Sequence, residues 1–251
     1  MLYAMTNTTI VIPTYNEKDN IEILVKAIFE LLPHVHILVV DDNSPDGTSE
    51  IVKKLQNQYP NLSLIINPKK EGLGQAYIAG FKKVINDNIT EAILMMDGDL
   101  SHQPKYIFMM LEEMEKNNRG LVIGSRYVPG GGVTKKWEVW RRILSRFANF
   151  YCRLILGYPI KDWTGGFNLI RTEILKQTNF QELSQFKGYA FIIALKFFLL
   201  KAGAGFREMP IFFEERSGGE SKLSKFVIKE GIFAPLKLIL KFSSKNINEN
   251  K

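Results

Sequence analysis

Residues 92–99 read Ala-Ile-Leu-Met-Met-Asp-Gly-Asp, a short apolar run that ends in two carboxylates. A run of this length and composition predicts a buried strand. Because strand residues two apart point to the same side, Asp97 and Asp99 should converge on one point, with Gly98 letting a ligand come close. Paired hard oxygen atoms suit Mg²⁺ or Mn²⁺, which often link carboxylates to the phosphates of a substrate. An Asp/Gly turn explains the motif equally well when it is taken alone.

A second acidic pair, Asp41-Asp42, follows another apolar run at residues 36–40. Open α/β folds bind ligands at the edge of the sheet where the parallel strands end. Two strands that both end in carboxylates therefore predict one acidic rim at that edge.

Two alternative assignments of the Asp97 segment fit its residues less well. A calcium-binding EF-hand loop needs Gly at its sixth position and Glu at its twelfth, where this chain has His102 and Phe108. Asp97, Asp99 and Ser101 also resemble the Asp-x-Asp-x-Ser nucleophile loop of haloacid-dehalogenase-type phosphatases. That loop comes early in its fold, whereas several elements precede it here, so this remains a minor alternative.

Hydrophobic periodicity along the chain alternates between short strand-like runs and amphipathic helix-like runs. This order predicts an α/β fold with a mostly parallel, doubly wound sheet flanked by helices. The predicted strands span residues 8–12, 36–40, 62–66, 92–96, 121–124 and 206–212. The predicted helices span residues 20–32, 49–58, 75–84, 104–116, 138–156 and 188–201, with a flexible loop at residues 130–132 and a last helix near the C-terminus.

Composition is that of an ordinary globular protein. The 251 residues are 45% hydrophobic and 24% charged, which suits one large domain with a real core. The one cysteine, Cys152, lies among apolar residues and is expected in the core. The sequence shows no signal-peptide pattern, and its longest apolar run, residues 189–200, is too short to span a membrane and contains Lys196.

Charge is distributed unevenly along the chain. The first 100 residues hold 8 of the 33 basic residues and 13 of the 26 acidic ones, and every arginine lies beyond them. Arginine offers a planar fork that binds phosphate. An acidic first part and an arginine-rich second part suit two phosphorylated groups better than a uniform nucleic-acid surface. Since no RNP, zinc-finger or helix-turn-helix signature is found either, no nucleic-acid partner is expected.

The first predicted strand is followed by Pro13-Thr14-Tyr15-Asn16-Glu17. A dinucleotide-binding Rossmann site would need Gly-x-Gly-x-x-Gly there, and the chain has no Walker A pattern. Pro13 and the aromatic Tyr15 could instead form a wall for a flat base. An ordinary strand-to-helix loop with Asn16 near the cap explains the Asn but neither the Tyr nor the Glu.

Longer segments surround these motifs, and together they resemble family 2 glycosyltransferases of the GT-A fold. Within that family the chain most resembles dolichyl-phosphate mannosyltransferases. The resemblance covers residues 8–240, although glucosyl and N-acetylglucosaminyl transferases that use polyprenyl phosphate share most of these motifs. The segments are Ile-Pro-Thr-Tyr-Asn-Glu (12–17), Val-Val-Asp-Asp-Asn-Ser-Pro-Asp-Gly-Thr (39–48), Gly-Leu-Gly (72–74), Met-Asp-Gly-Asp-Leu-Ser-His (96–102), Gly-Ser-Arg-Tyr (124–127), Arg-Ile-Leu-Ser-Arg-Phe-Ala-Asn (142–149), Asp-Trp-Thr-Gly-Gly-Phe (162–167), Glu-Arg (215–216) and Gly-Glu-Ser-Lys (219–222).

The resemblance implies a nucleotide-sugar site. Asp97, Asp99 and Ser101 would bind the donor diphosphate through Mg²⁺ or Mn²⁺, with Gly98 lying against it. His102 is expected to stabilise the loop rather than bind the metal. The base and ribose would be held by Pro13, Tyr15, Glu17, Val40 and Asp42.

The resemblance also implies roles for the basic residues of the second part. Arg126 would face phosphate, and Arg216 and Lys222 would close over the donor and acceptor phosphates. Arg141 and Ser145 lie one helical turn apart and share a face, so they could grip the acceptor phosphate. A solvated helix face explains the other arginines of that helix equally well.

The implied reaction is metal-dependent, inverting transfer of mannose from GDP-mannose to dolichyl or polyprenyl phosphate, giving a β-linked lipid phosphosugar. Such an acceptor arrives largely as a dianion, since its second pKa is about 6, and needs no general base. Asp162 is the reserve base for a hydroxyl acceptor. The alternatives are transfer from UDP-glucose or UDP-N-acetylglucosamine to polyprenyl phosphate or a hydroxyl group, and a non-catalytic subunit that binds nucleotide sugars or membranes.

The acceptor implies contact with a membrane. We expect a glycosyltransferase domain at residues 1–222, an amphipathic membrane-proximal helix at 223–242 and a disordered tail at 243–251. In that helix Lys225, Lys229, Lys237 and Lys241 form a basic stripe, and basic amphipathic helices bind anionic lipid surfaces. The protein is expected to be peripheral on the cytoplasmic face of a membrane, where a small membrane-embedded partner subunit is a further possibility.

Overall fold

A seven-stranded sheet is the centre of the part of the chain that the computed structural model describes, residues 7–88, 90–215 and 225–248. The side chains of residues 225–229 and 243–248 are outside this description. The strands are β1 (Thr8–Thr14), β2 (His36–Asp41), β3 (Leu62–Ile66), β4 (Ala92–Met95), β5 (Leu121–Ser125), β6 (Gly132–Val133), β7 (Asn168–Arg171), β8 (Phe206–Pro210) and β9 (Phe212–Phe213). The strand order of the main sheet is β3-β2-β1-β4-β7-β5-β8, and β6 pairs separately with β9.

Helices flank this sheet on both faces. They are α1 (Lys18–Leu31), α2 (Thr48–Gln56), α3 (Leu73–Asp87), α4 (Ile107–Lys116), α5 (Val139–Leu156), α6 (Thr172–Leu175), α7 (Phe180–Leu183), α8 (Gly188–Lys201) and α9 (Lys225–Asn248), and a 3₁₀ turn, Pro104–Tyr106, precedes α4. The architecture confirms the predicted α/β fold with a mostly parallel sheet.

The parallel register brings the predicted loops to one edge. Thr14 pairs with Asp41 across β1 and β2, and Val11 pairs with Met95 across β1 and β4. All three strands run in the same direction, so they end side by side. The segments that follow them therefore share the carboxyl edge of the sheet, as the acidic-rim prediction requires.

Strand β7 is one of the short elements that the sequence pattern missed. It is only four residues long and runs antiparallel between β4 and β5, with Asn168 opposite both Met95 and Ile123. Because it runs the other way, its amino end lies where β4 and β5 end. The loop of residues 162–167 therefore enters the same edge as the acidic motifs.

Two cores cover the two faces of the sheet. Ile10 and Ile12 of β1 pack toward α1, α2 and α4, whereas Val11 between them packs toward α3 and α8. Helix α8 is buried along residues 190–200, which explains why its sequence is apolar on every side. Helices α5 and α9 pack outside it, with Cys152 buried as predicted.

Gly131 lies in the segment that was predicted to be a flexible loop. A side chain there would place its Cβ 2.5 Å from the carbonyl oxygen of Ser125, so only glycine fits. Residues 130 and 131 form a loop as predicted, whereas Gly132 begins the short strand β6 and pairs with Phe212. A two-residue strand is too short to show periodicity in the sequence.

The C-terminal helix α9 differs from its prediction in extent and in orientation. It continues to Asn248, past the predicted start of a disordered tail, because no Gly or Pro interrupts it after Pro235. Lys237 lies 5.0 Å from the ring of Phe186, and Lys241 pairs with Glu182 at 3.2 Å. Lys241 therefore turns toward α7, whereas Lys237 stays exposed, and the side chains of Lys225 and Lys229 lie outside the described residues.

Four apolar side chains of α9 are exposed as well: Ile232, Phe233, Leu236 and Leu240. In the described residues no helix has both the length and the apolar character needed to cross a membrane.

Candidate active site

A cleft of about 500 Å³ opens at the carboxyl edge of the sheet. Segments that are far apart in sequence line it, because each one follows a strand that ends there. Of the predicted residues it contains Pro13, Tyr15, Glu17, Asp42, Asp97, Gly98, Asp99, Arg126 and Arg141.

One end of the cleft is built by the loops after β1 and β2. Nζ of Lys70 lies 3.6 Å from the centroid of the Tyr15 ring and forms a cation–π contact with its face. Asp42 accepts hydrogen bonds from the side chain of Asn67 at 2.7 Å and from the backbone N–H of Gly72 at 2.9 Å. These bonds fix the carboxylate of Asp42 beside the ring of Tyr15.

The two residues before Asp42, Val40 and Asp41, do not line the cleft. Asp41 is buried, and its carboxylate accepts hydrogen bonds from Thr14 at 2.8 Å and from the Ser44 hydroxyl at 2.6 Å, which ties the two loops together. Val40 was predicted to contact the substrate, but its side chain is buried in the core on the side of α3. It does not line the cleft, because it lies within β2 below the rim, where Gly80 of α3 packs against it.

Asp97 and Asp99 both line the cleft wall as predicted, but β4 ends at Met95 and they lie in the turn that follows rather than at strand spacing. Asp99 is buried and accepts from the Ser101 hydroxyl at 2.5 Å and from the Ser101 N–H at 3.1 Å, whereas the side chain of Asp97 is 26% exposed. Ser101, a predicted metal ligand, is fully buried, and its hydroxyl is engaged by Asp99. A Cβ on Gly98 would lie 3.3 Å from Cγ2 of Thr14, so this wall is tight against β1.

The side chain of His102 stabilises the loop that carries Asp97 and Asp99. Its Nδ1 accepts a hydrogen bond from the backbone N–H of Asp97 at 3.0 Å, and its ring stacks on Phe167 with centroids 4.9 Å apart. Burial lowers the pKa of His102, against the smaller raising effect of Asp97 and Asp99. The imidazole is therefore neutral and orients the loop, as was predicted for it.

Arg126 is held by a carboxylate from the loop of residues 162–167. Its Nε and Nη2 donate to Oδ2 and Oδ1 of Asp162 at 2.8 and 2.7 Å, and Nη2 also donates to Thr164 at 2.8 Å. Burial alone would raise the pKa of Asp162, but the charge and hydrogen bonds of Arg126 lower it to about 2. Within the described ranges Nη1 of Arg126 forms no hydrogen bond, which leaves it available to an anion.

This arrangement argues against Asp162 as a reserve base. Its carboxylate accepts two further hydrogen bonds, from the backbone N–H groups of Arg126 and Gly165, both at 2.9 Å. A buried carboxylate with four donors and a pKa of about 2 cannot accept a substrate proton near neutral pH. Its role is to hold Arg126.

Lys196 is a site residue that sequence reasoning did not assign. It is buried in α8, and its Nζ donates to the carbonyl oxygens of Asp162, Trp163 and Gly165 at 2.6, 3.3 and 2.9 Å. Burial lowers the pKa of Lys196 to about 8, although the carboxylates of Asp162 and Glu208 raise it. The available signal was a single lysine inside a long apolar run, which is costly unless it is paired.

A second cavity, of about 370 Å³, adjoins the cleft. Arg126, Trp137 and Arg141 line both, and the guanidinium of Arg141 stacks over the Trp137 ring at 4.1 Å. Ser145 lines only the second cavity, where it accepts a hydrogen bond from the Tyr127 hydroxyl at 2.6 Å. Of the predicted pair, Arg141 thus lies at the junction of the two spaces and Ser145 lies in the second cavity.

Arg216 and Lys222, which were predicted to close over the phosphates, lie outside the described residues. Glu215, the last described residue before them, lines the cleft and pairs with Lys136 at 3.6 Å.

The donor atoms of the cleft fit a divalent cation that shares its ligands with a substrate. In residues 7–88, 90–215 and 225–248 no group of three or more His, Cys, Asp and Glu side chains is arranged to hold a metal by itself. Asp97 and Asp99 offer carboxylate oxygens only, which suit Mg²⁺ or Mn²⁺ completed by water and phosphate oxygens.

Comparison with known proteins identifies a family and named relatives. Residues 9–178 match the family described as Glycosyl transferase family 2. A polyprenol monophosphomannose synthase of Mycolicibacterium smegmatis is 40% identical over 228 residues, which cover 90% of this chain and 84% of that protein. An undecaprenyl-phosphate mannosyltransferase of Micrococcus luteus is 35% identical over 222 residues, covering 88% of this chain and 89% of that protein.

Solved structures show the same fold at lower identity. Glucosyl-3-phosphoglycerate synthase of Mycobacterium tuberculosis, in complex with Mn²⁺, UDP and phosphoglyceric acid, superposes with a TM-score of 0.67 at 15% identity, covering 94% of this chain and 80% of that chain. A complex of the same enzyme with Mg²⁺ and UDP gives a TM-score of 0.66 at 16% identity, covering 94% and 81% of the two chains. At these identities the likeness concerns the fold alone.

Proposed function

This chain belongs to glycosyl transferase family 2, and we propose that it transfers mannose from GDP-mannose to a polyprenyl or dolichyl phosphate. The two similar proteins named for mannose transfer to polyprenyl carriers support this acceptor class and this sugar. The observation that carries the proposal is the junction of the two spaces. A polar cleft with an acidic pair meets an apolar cavity at Arg126 and Arg141.

The nucleotide sugar would occupy the polar cleft. Its base would lie against Tyr15, displacing Nζ of Lys70 from the ring, and Asp42 would accept hydrogen bonds from the base or the ribose. Asp97 and Asp99 would hold Mg²⁺ or Mn²⁺, which when bound neutralises charge on the departing diphosphate. Ser101 and His102 keep these two carboxylates in place.

The acceptor phosphate would lie at the junction. Nη1 of Arg126 and the guanidinium of Arg141 offer donors there, and a planar fork binds phosphate oxygens well. Arg216 and Lys222 are proposed to add charge around the two phosphates, as the family resemblance implies. The ion pair with Asp162 fixes Arg126 before substrate arrives, so little orientation energy is needed at the reaction step.

The reaction would be a direct displacement. An oxygen of the acceptor phosphate forms a bond to the anomeric carbon of mannose, while the bond from that carbon to the diphosphate oxygen breaks. The nucleoside diphosphate leaves with the electron pair, and the configuration inverts to a β-linked product. The acceptor oxygen carries no proton near neutral pH, since its second pKa is about 6, so no base is required.

The acceptor also requires access to a lipid surface, and the proposed docking face is on α5 and α9. Five large apolar side chains of α5 repeat at helical spacing and are 53 to 68% exposed: Trp140, Ile143, Phe147, Phe150 and Leu154. An apolar stripe of this size turned to solvent is unusual. Arg146 and Arg153 are exposed on the same helix and could meet anionic headgroups. A peripheral position on the cytoplasmic face and a small membrane-embedded partner remain predictions.

A donor screen tests the sugar assignment. Purified protein with Mg²⁺ and undecaprenyl phosphate in detergent is given GDP-mannose, UDP-glucose or UDP-N-acetylglucosamine, and release of the nucleoside diphosphate is followed. We expect turnover with GDP-mannose to exceed the other two by at least about tenfold. Preference for a UDP-sugar would overturn the donor assignment and leave the lipid acceptor in place.

A further inference from the structure

Tyr77 of α3 is a fully buried tyrosine whose hydroxyl has no hydrogen-bond partner among the described residues. Its ring stacks on the rings of Phe81 and Phe191, with centroid distances of 5.7 and 6.0 Å. A phenylalanine would keep both contacts without burying a polar atom. Because an unpaired buried hydroxyl is costly, packing alone does not explain a tyrosine at this position.

The register of α3 on the sheet places this hydroxyl near the end of β4. Gly80 packs on β1, since a Cβ on it would lie 2.6 Å from Cγ1 of Val11. Val11 in turn pairs with Met95, the last residue of β4. Helix α3 begins at the carboxyl edge of the sheet, so Tyr77 lies nearer to that edge than Gly80 by one turn, about 4.5 Å. This shift moves it toward the turn that carries the acidic pair.

The charges of the acidic pair reach the hydroxyl of Tyr77. Burial raises the pKa of Tyr77 well above its ordinary value of 10.0, and the carboxylates of Asp97 and Asp99 raise it further. The hydroxyl therefore keeps its proton and acts as a donor toward these carboxylates. Tyr77 does not line the cleft, although its neighbour Ala76 does. It thus approaches the acidic pair from inside the protein, on the side away from the substrate.

We propose that Tyr77 is a positioning residue for the divalent cation. Its hydroxyl donates a hydrogen bond to the carboxylates of Asp97 and Asp99, directly or through one ordered water molecule, when the cation is bound. Carboxylates that bind metals are oriented by hydrogen bonds of this kind, and losing one lowers metal affinity about 10- to 100-fold. This inference deepens the proposed function, because it rests on the acidic pair as the metal site.

Binding of Mn²⁺ alone tests the role of the hydroxyl. The metal is titrated into the purified full chain without nucleotide or lipid, and free Mn²⁺ is measured by electron paramagnetic resonance. We expect Tyr77→Phe to weaken Mn²⁺ binding by at least about tenfold. Its melting temperature should stay the same or rise, because the variant no longer buries an unpaired hydroxyl. Equal Mn²⁺ affinities of the variant and wild type would overturn the proposal.

Tyr59→Phe is the matched control. It removes a hydroxyl from a ring that stacks on Phe29 in the core on the opposite face of the sheet, so Mn²⁺ binding should not change. Asp99→Asn removes a proposed ligand and should weaken Mn²⁺ binding more than Tyr77→Phe does. An equal loss of affinity in Tyr59→Phe would contradict a specific role for Tyr77.

Excess metal distinguishes positioning of the cation from a general defect. In a transfer assay Tyr77→Phe should need about tenfold more Mn²⁺ for half of its maximal rate, and at saturating Mn²⁺ it should recover to within about twofold of wild type. A rate that stays low at saturating Mn²⁺, with the wild-type requirement for the metal, would contradict the proposal.

The outcomes separate this inference from the proposed reaction. Weaker Mn²⁺ binding by Tyr77→Phe supports the role of the hydroxyl even if GDP-mannose proves not to be the donor, since the titration contains no nucleotide. Mannose transfer by wild type, together with unchanged Mn²⁺ binding by Tyr77→Phe, would retain the reaction and reject the role of Tyr77.

Discussion

The carboxylate of Asp162 and the guanidinium of Arg126 form a bidentate ion pair, with N–O distances of 2.7 and 2.8 Å, that is almost closed off from solvent. Asp162 comes from the loop before an antiparallel strand, and Arg126 directly follows β5. The pair connects the loop of residues 162–167 to the end of β5. It holds Arg126 where this residue lines both the cleft and the second cavity. In the proposed reaction it determines where phosphate is bound.

Removing one partner of this pair should be costly. We expect Asp162→Ala to lower the free energy of unfolding by about 3–5 kcal/mol, because it leaves a buried uncompensated cation. Urea unfolding at neutral pH measures the change. Glu115→Ala breaks the surface pair with Arg171 and is the control, expected to cost less than about 1 kcal/mol. Equal small effects would show that the buried pair contributes little.

The same pair gives a pH dependence with a defined sign. The folded pKa of Asp162 is lowered to about 2, below the unfolded value of about 3.9, so its stabilisation is complete above pH 4. It is lost as pH falls from about 4 toward 2. The difference in unfolding free energy between wild type and Asp162→Asn should therefore shrink over that range. A difference that stays constant down to pH 2 would contradict this.

Lys196 should act by positioning the loop that carries Asp162. Lys196→Met leaves three carbonyl oxygens without their donor, and we expect the free energy of unfolding to fall by about 1–3 kcal/mol at pH 7. The folded pKa of about 8 lies below the ordinary lysine value of 10.5, so the unfolded state binds more protons between these values. Wild type should therefore gain stability relative to Lys196→Met as pH rises from 8 to 10.5. If the unfolding free energies of wild type and Lys196→Met change in parallel over this pH range, the assignment is rejected.

Arg141 should serve the acceptor rather than the donor. Loss of one charged hydrogen bond to phosphate is expected to raise the KM for polyprenyl phosphate by about 10- to 100-fold in Arg141→Ala. Initial rates with each substrate varied in turn separate the two constants. Arg146→Ala on the exposed side of α5 is the control and should change neither. An increase confined to the KM of the donor would contradict this assignment, because it would show that Arg141 serves the donor.

The exposed stripe of α5 should be needed for membrane binding but not for chemistry. A Phe150→Glu, Leu154→Glu double variant is expected to lose flotation with anionic liposomes, because both side chains are exposed and apolar. Transfer to a short soluble prenyl phosphate should persist. Ile23→Glu changes a similarly exposed residue on α1 and should float like wild type. Equal flotation of all three proteins would reject this face.

The sequence was most informative about the residues that directly follow a predicted strand. The position of Asp97, Asp99 and Asp42 at one edge could be predicted because they follow parallel strands, although β4 ends at Met95 and Asp97 and Asp99 lie in the turn after it. Val40 precedes Asp42 by two residues and shares its side of the strand, but it does not line the cleft because α3 covers it. The bounds of the predicted helices were missed by a few residues at most until α9, whereas the four-residue helices α6 and α7 were not predicted.

The elements that complete the site depend on tertiary structure. Four-residue β7 has no usable periodicity, yet it brings Asp162 to Arg126. In the sequence Lys196 only interrupts an apolar run. Its role is shown by the three carbonyl oxygens that accept its hydrogen bonds. The sequence predicts an outward stripe for the lysines of α9, but Glu182 and Phe186 lie far away in sequence, so no local pattern could show their contacts with Lys241 and Lys237.

Transfer of labelled mannose tests the central claim most directly. The protein is incubated with GDP-[¹⁴C]mannose, undecaprenyl phosphate and Mg²⁺, and label is counted after organic extraction and mild acid treatment. We predict an extractable, acid-labile product with a β-linkage, and at least about hundredfold less of it with Asp99→Asn, whose melting temperature should be retained. Absence of extractable label with folded wild-type protein, or full activity of Asp99→Asn, would contradict the proposed reaction.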